Sequence, residues 1–288
     1  MLKIVEKTKL WFAMSLFIIV IGMGFMATKG LNLGIDFKGG TALTINMNQK
    51  FDKTDVDKII DKHAKGEYLS KTIDNGKDLE ITVKSDALSA DEIATMVKEI
   101  KTEFKSSKLS SEDTIGASVG NELKTKAITA LIIATICMLG YISLRFEFKF
   151  GAAAIIALLH DVLITLGVYA VFRIPVNAPF IAAILTIIGY SINDTIVIFD
   201  RIRENQKIMR KSSVEEIANT SVTQTLARSI NTVATVLISI IAVYVLVPSI
   251  RDLSLPLIIG IAVGCYSSIF IASPVWVLLK KRQKKARA

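Results

Sequence analysis

Asn193 and Asp194 interrupt an otherwise lipid-compatible run, IAAILTIIGYSINDTIVIF, between Phe180 and Phe199. An ionisable side chain at membrane depth costs about 2.5–3.5 kcal/mol on insertion scales, so such a residue belongs by default to an ion or proton path. Asp194 lies about six residues inside one end of this run, roughly 9 Å along a helix at about 1.5 Å per residue. Arg228 lies at about the same depth in the next apolar run, if that helix begins near Val222, so the two can pair. Thr225, Arg228, Thr232, Thr235 and Ser239 recur at three- and four-residue steps and share one helix face. A polar stripe facing lipid is costly, so the spacing predicts that this face lines the bundle interior or a watered crevice. Two chemistries fit the pair: a carboxylate that takes and releases a proton with Arg228 setting its affinity, or a static ion pair that fixes helix register. His160 and Asp161, near the middle of a third apolar run, are further relay candidates and serve equally as helix-to-helix hydrogen-bonding groups.

The elements that hold these residues follow from composition. Of 288 residues, 51% are hydrophobic and mean hydropathy is positive, too apolar for one water-soluble core. A bilayer core needs about 20 apolar residues per helix. Six runs meet that length: Leu10 to Ala27, Ala127 to Leu144, Gly151 to Phe172, Phe180 to Phe199, Val222 to Val247 and Leu255 to Leu279. Lys and Arg gather near alternate span ends: Lys3, Lys7, Lys9, Arg145, Lys149, Arg201, Arg203, Lys207, Arg210, Lys211, Arg228 and the tail from Lys280 to Arg287. The opposite short loops hold only Arg173 and Arg251. Positive charge stays inside, so both termini are expected in the cytoplasm and the segment between the first two spans outside. Residues 30–126 carry 15 Lys against 17 acidic residues, a net −2, and the remainder carries 20 basic against 9 acidic, a net +11. The total of +9 therefore points to anionic lipid headgroups and implies no nucleic acid. The first run follows three lysines as a signal peptide does, but it is long and lacks a small-x-small cleavage site, so it reads as an uncleaved anchor. Cys137 and Cys265 fall within spans and imply neither a disulfide nor a metal.

The chain divides into a cytoplasmic N-terminus with the first span (1–30), an exported α+β domain (31–126), a five-helix bundle (127–279) and a basic cytoplasmic tail (280–288). Within the exported part, alternation predicts strands at Thr41 to Met47, Glu67 to Ile73 and Asp78 to Lys84, with a last strand near Ser110 to Val119. The second and third strands meet across Asp74-Asn75-Gly76, a tight-turn sequence. Helices are predicted over Asp55 to Lys65, capped by Thr54, and over Ser89 to Phe104, where Ser89 and Glu92 have capping-box spacing. The order βαββαβ is that of a ferredoxin-like sandwich. Its one histidine, His63, reads as a solvated helix residue. Gly260, Gly264 and Ser268 make a small-residue seam for close helix packing, and Pro175, Pro179, Pro248 and Pro256 flank the short external turns.

Where the first span meets the domain stands Gly34-Ile35-Asp36-Phe37-Lys38-Gly39-Gly40-Thr41, a Gly-rich turn that also resembles the GxDFxGG signature of the SecD/SecF family of bacterial protein-export subunits. Further matches are Arg145-Phe146-Glu147, His160-Asp161, and Tyr190 to Val197 running on to Asp200-Arg201-Ile202-Arg203-Glu204-Asn205. The resemblance covers nearly the whole chain. Six spans and a small exported domain are similar to the smaller subunit type of that family, half of a twelve-span resistance-nodulation-division architecture. The resemblance implies a multi-pass plasma-membrane protein that uses the proton-motive force to help complete preprotein export. A SecD-like subunit, the SecYEG channel and the emerging preprotein are its implied partners. It marks Asp194 and Arg228 as proton-pathway residues, with Asn193, Asp161 and His160 beside them. Gly34, Asp36, Phe37, Gly39 and Gly40 form the family's structural motif.

No cofactor or metal is expected, and no G-x-x-x-x-G-K-[ST] for ATP occurs. A proton-coupled exporter of lipids or small amphiphiles is the rival, and it needs a sizeable apolar cleft. An intramembrane enzyme is not expected, since no H-E-x-x-H occurs and no Ser-His pair converges at one depth by sequence position.

Overall fold

Long apolar runs must satisfy every backbone group internally in lipid, and the helical way of doing so dominates this chain. The structure is a computed structural model, describing residues 2–64, 68–73, 76–84, 87–145 and 147–287. A 3-10 turn at Val5–Lys7 leads into α1 (Thr8–Lys29). The short α2 (Ile35–Lys38), β1 (Gly40–Asn46), α3 (Lys53–Ala64), β2 (Tyr68–Ile73), β3 (Asp78–Lys84), α4 (Ala90–Glu103) and β4 (Lys108–Ile115) follow. Then come α5 (Ala117–Arg145), α6 (Phe148–Phe172), α7 (Ala178–Ile208), α8 (Val214–Leu246) and α9 (Arg251–Ser267). A π-helical turn at Ser268–Ala272 joins α9 to α10 (Ser273–Arg287). Among the described residues, six helical stretches are long and apolar enough to cross a membrane, each overlapping one of the predicted runs.

Two compact units result, one of Met1–Asn32, Ala130–Pro175 and Pro179–Ala288, the other of Leu33–Thr129 with Val176–Ala178. In the second, the strands order as β2-β3-β1-β4, all antiparallel, as expected for the βαββαβ sandwich. Alternation puts Leu43, Ile45, Met47, Leu79, Ile81 and Val83 on the covered face, against Val56, Ile60, Met96 and Ile100 of α3 and α4. Ser89 caps α4 in a full capping box, its amide donating to Glu92 at 2.8 Å. The cap of α3 differs from expectation: Asp52 Oδ1 accepts from Thr54 N at 2.9 Å, so the Asx acceptor two residues upstream replaces the Thr54 hydroxyl. His63 is not simply solvated, since its Nε2 lies 2.9 Å from Glu99 Oε2 and ties α3 to α4. Gly76 adopts φ 83°, which its turn requires, while Asp74 and Asn75 lie outside the described residues, as do Lys65, Glu67 and Phe146.

Several boundaries move. β4 ends at Ile115 and α5 begins at Ala117, ten residues before the predicted span, because hydropathy marks the apolar stretch and not the polar turns that lead into it. The fifth helix likewise begins at Val214, capped by Ser213, whose Oγ accepts from Glu216 N at 3.1 Å. The basic tail is no separate segment: α10 runs through it, with Lys281 paired to Glu215. Pro256 lies inside α9 instead of ending a helix. Pro274 has no amide to give the Phe270 carbonyl four residues back, and the chain widens into the π turn immediately before it.

In the helical unit, the small-residue seam faces α7. A Cβ on Gly264 would come within 3.1 Å of the Ser191 Cβ, and one on Gly260 would enter the Ile187 side chain. α1 and α6 cross as closely at Gly22 and Gly167. Arg173 and Arg251, the two cations of the sparsely charged loops, are helix caps: Arg173 Nη1 donates to Lys29 O at 3.0 Å and Gly30 O at 2.7 Å, and Arg251 Nε to Tyr244 O at 3.0 Å. Each places positive charge where a helix dipole ends negative.

Candidate functional site

Asp194 sits sixteen residues beyond Ala178, about 24 Å along α7 at 1.5 Å per residue, near the helix midpoint. It is 8% exposed. Its Oδ1 accepts from Ser229 Oγ at 2.7 Å, and its Oδ2 is buried with no hydrogen-bond partner among the described residues. The residue that reaches it is therefore Ser229, and not the predicted Arg228. One residue along a helix turns the side chain by about 100°, and Arg228 lies on the exposed side. Asn193, next to Asp194, is likewise exposed.

The polar stripe of α8 also departs from expectation. Thr225 is buried, but Thr232, Thr235 and Ser239 face outward from this chain. Their hydroxyls need no partner helix because they return to their own backbone: Thr232 Oγ1 to Arg228 O at 2.8 Å, Thr235 Oγ1 to Thr232 O at 2.9 Å, Ser239 Oγ to Thr235 O at 3.0 Å.

Beside Asp194 the bundle holds a second acid. Asp161 is 0% exposed, yet both carboxylate oxygens are engaged. Ser191 Oγ donates to Oδ2 at 2.6 Å, Ser267 Oγ donates to the same oxygen at 2.8 Å, and His160 Nδ1 lies 2.9 Å from Oδ1. The other ring nitrogen, Nε2, lies 3.0 Å from Ser15 Oγ on α1. Ser and His thus do converge, contrary to the sequence reading, because α1 packs along α6 although 145 residues separate the two groups in sequence. Ser15 is itself buried. The π turn distributes consecutive serines between the two acids. Ser267 serves Asp161, while Ser268 Oγ lies 2.8 Å from Thr195 Oγ1, next to Asp194.

The glycine-rich motif forms a backbone junction. Asp36 Oδ2 accepts from Ala178 N at 2.6 Å, capping the start of α7, and Gly34 N donates to Val176 O at 2.9 Å. Gly39 takes φ 78° after α2, and a Cβ there would sit 2.8 Å from Ala117 Cα. Gly40 takes φ 144° at the start of β1, and Phe37 is buried.

Sequence reasoning gave no site role to Ser15, Ser191, Ser229 and Ser267, and placed Ser268 only in the packing seam. The one readable signal was the recurrence of hydroxyl residues inside apolar runs.

Six apolar helices among the described residues and a ferredoxin-like domain define a multi-pass membrane protein. Residues 93–282 match the model of the SecD/SecF protein export membrane protein C-terminal region, and residues 24–50 match the SecD/SecF GG motif. The chain belongs to the SecD/SecF family. It is 38% identical to protein translocase subunit SecF of Sebaldella termitidis, over 98% of this chain and 93% of that one. It is 36% identical to protein translocase subunit SecDF of Thermus thermophilus, over 96% of this chain and 38% of that one. The crystal structure of SecDF from Thermus thermophilus, a translocon-associated membrane protein, superposes with a TM-score of 0.89 at 33% identity. This chain spans 39% of that one.

Proposed function

We propose that this chain is a SecF-type auxiliary subunit of the Sec translocation machinery, in which proton uptake and release at Asp194 drive a two-state change of the helical bundle. The carrying observation is Asp194 itself, a membrane-embedded carboxyl with one oxygen held by Ser229 and the other buried without a partner. An unpaired buried carboxylate oxygen is costly, and a proton relieves that cost. Arg228 modulates the site through space, and Asn193, Asp161 and His160 complete the relay set.

One proton crossing about 150–200 mV releases roughly 3.5–4.6 kcal/mol. Reversing a two-state equilibrium from 1:99 to 99:1 needs about 5.5 kcal/mol. Two protons per stroke are therefore enough, and the chain works without ATP and without enzymatic chemistry. Both termini lie in the cytoplasm and residues 31–126 on the exported side, where the α+β domain helps pull or hold an emerging preprotein. A SecD-like partner supplies the second bundle. The fused SecDF relative supports this pairing, and the outward polar face of α8 is the surface such a bundle would cover. SecYEG is the channel served, within surrounding membrane lipids.

Inverted vesicles carrying the assembled subunits test the proposal. Asp194→Asn and Arg228→Ala should abolish proton-dependent preprotein release while the ATP-driven start of translocation survives. Unchanged release in both variants refutes the relay. Loss of lipid export in place of preprotein release supports the amphiphile exporter instead.

A further inference from the structure

We propose that Asp36 is a positioning residue that fastens the start of α7 to the α+β domain, so that a displacement of α7 at Asp194 is delivered to that domain as motion. This rests on the proton-driven reading above and names the part that transmits it.

The turn between α6 and α7 is divided between the two compact units. Residues up to Pro175 belong to the helical unit, Val176–Ala178 belong to the α+β unit, and from Pro179 onward α7 belongs to the helical unit again. Each part of the turn has its own fastening. In the helical unit, Asn32 Nδ2 donates to Arg173 O at 3.0 Å, and Arg173 Nη1 reaches back to Lys29 O and Gly30 O. In the α+β unit, Leu33 and Val176 form a parallel bridge, Gly34 N donates to Val176 O at 2.9 Å, and Ala178 N donates to Asp36 Oδ2 at 2.6 Å. Val176 is buried, and Gly34 lies so close to the Asn177 side chain that no Cβ fits between them. Three consecutive residues are thus held to the domain by backbone contacts and one carboxylate.

The carboxylate is the member that a merely stable helix would not need from so far away. A helix start requires acceptors for its first amides, and an acid there also meets the positive end of the helix dipole. A neighbouring residue can supply this, as Ser89 does for α4 and Ser213 for α8. Such a cap steadies its own helix and nothing else. Asp36 is 142 residues from Ala178 in sequence, so its bond to that amide also closes a link between α7 and the segment that enters β1. Pro179, the next residue of α7, has no amide to offer, and its ring keeps the first turn in a helical conformation.

Both ends of the link are stiff. Behind Asp36, Phe37 is buried, a Cβ on Gly39 would come within 2.8 Å of Ala117 Cα, and Gly40 opens β1 in register with Lys84 on one side and Ile115 on the other. Beyond Ala178, α7 is an unbroken α-helix through Asp194, sixteen residues on. Coupling between separated groups is carried by such packed and regular elements. Removing the Asp36 carboxylate leaves the strand and the helix in place and takes out the joint between them.

The assembled subunits in lipid vesicles test this with two readings on each variant: the protonated-carboxyl infrared band that Asp194→Asn removes, and proton-dependent preprotein release. In Asp36→Ala the band should persist while release falls by about tenfold or more, the weight of one hydrogen bond to a charged group. Asp36→Asn keeps a side-chain carbonyl as acceptor and should restore most of the release. A covalent joint should do the same. In a Cys137→Ala, Cys265→Ser background, Leu33→Cys with Val176→Cys occupies two bridged positions, and the spacing of about 5 Å between neighbouring strands suits a disulfide. Once oxidised it should rescue Asp36→Ala, and a reductant should undo the rescue. Wild-type release in Asp36→Ala overturns the proposal, as does a loss that neither Asp36→Asn nor the disulfide repairs, or a loss of the Asp194 band along with release. With the band present in the wild type, those outcomes sink this inference alone. A wild type without the band sinks the relay, and this inference with it.

Discussion

At the scale of single residues, the useful distinction is between buried polar atoms that are satisfied and those that are not. Asp161 is saturated, and Asp194 is half-satisfied, so the residue that depends most on one neighbour is Asp194, on Ser229. Ser229→Ala should destabilise the protein by about 1–3 kcal/mol, the cost of leaving a buried acceptor unpaired. In an Asp194→Asn background the same change should cost measurably less, and a thermal-unfolding double-mutant cycle reads the coupling. In the α+β domain, burial first, then the nearby charge of Asp57, pushes the Tyr68 phenol up to about 12 from 10.0. The folded state holds that proton more tightly than the unfolded chain. The corresponding stability is therefore intact below pH 10 and is lost as pH rises through about 12. A phenolate absorbance titration of Tyr68→Phe should lose one late-ionising tyrosine relative to the parent protein. Asp194 itself was legible in sequence, because a carboxylate in an apolar run stands out. Ser229 was not: depth along a helix can be counted from sequence, whereas the direction a side chain faces depends on the neighbours the helix finally packs against.

At the scale of elements, the close crossings carry the packing. Gly264 and Gly260 admit Ser191 and Ile187 of α7. Gly264→Leu should therefore force the helices apart and cost about 1–3 kcal/mol or more, as overpacking does. It should also move Ser191 and Ser267 off Asp161. A lowered unfolding midpoint together with an altered His160 nitrogen spectrum would register both effects. The seam was readable from its four-residue spacing, but its partner helix was not, since small residues advertise closeness without naming what comes close. The π turn was invisible because hydropathy runs unbroken from Leu255 to Leu279, and only Pro274 hinted at a fault in the ladder. The α+β domain was more legible, its alternating strands and capped second helix being local signals. Its final strand was misplaced because the polar start of α5 has no apolar period. The role of Asp36 as the cap of α7 could not be read, since its partner Ala178 is 142 residues away.

For the whole molecule, charge asymmetry sets the expected topology. In a Cys137→Ala, Cys265→Ser background, a membrane-impermeant thiol reagent should label Ser110→Cys from outside intact cells, and Lys211→Cys only after permeabilisation. The reverse pattern would invert the orientation. Composition alone made the six-span class legible, because no other arrangement hides so much apolar surface. The coupling of buried groups on α1, α6, α7 and α9 into one polar core was not, because it exists only once those helices meet. Everything functional then turns on whether Asp194 exchanges a proton inside the bundle. Infrared difference spectra of the full-length protein in lipid, recorded across a pH step, measure this directly. A protonated-carboxyl band that appears in the wild type and vanishes in Asp194→Asn is the expected result. Identical spectra from the two proteins would contradict proton exchange at Asp194.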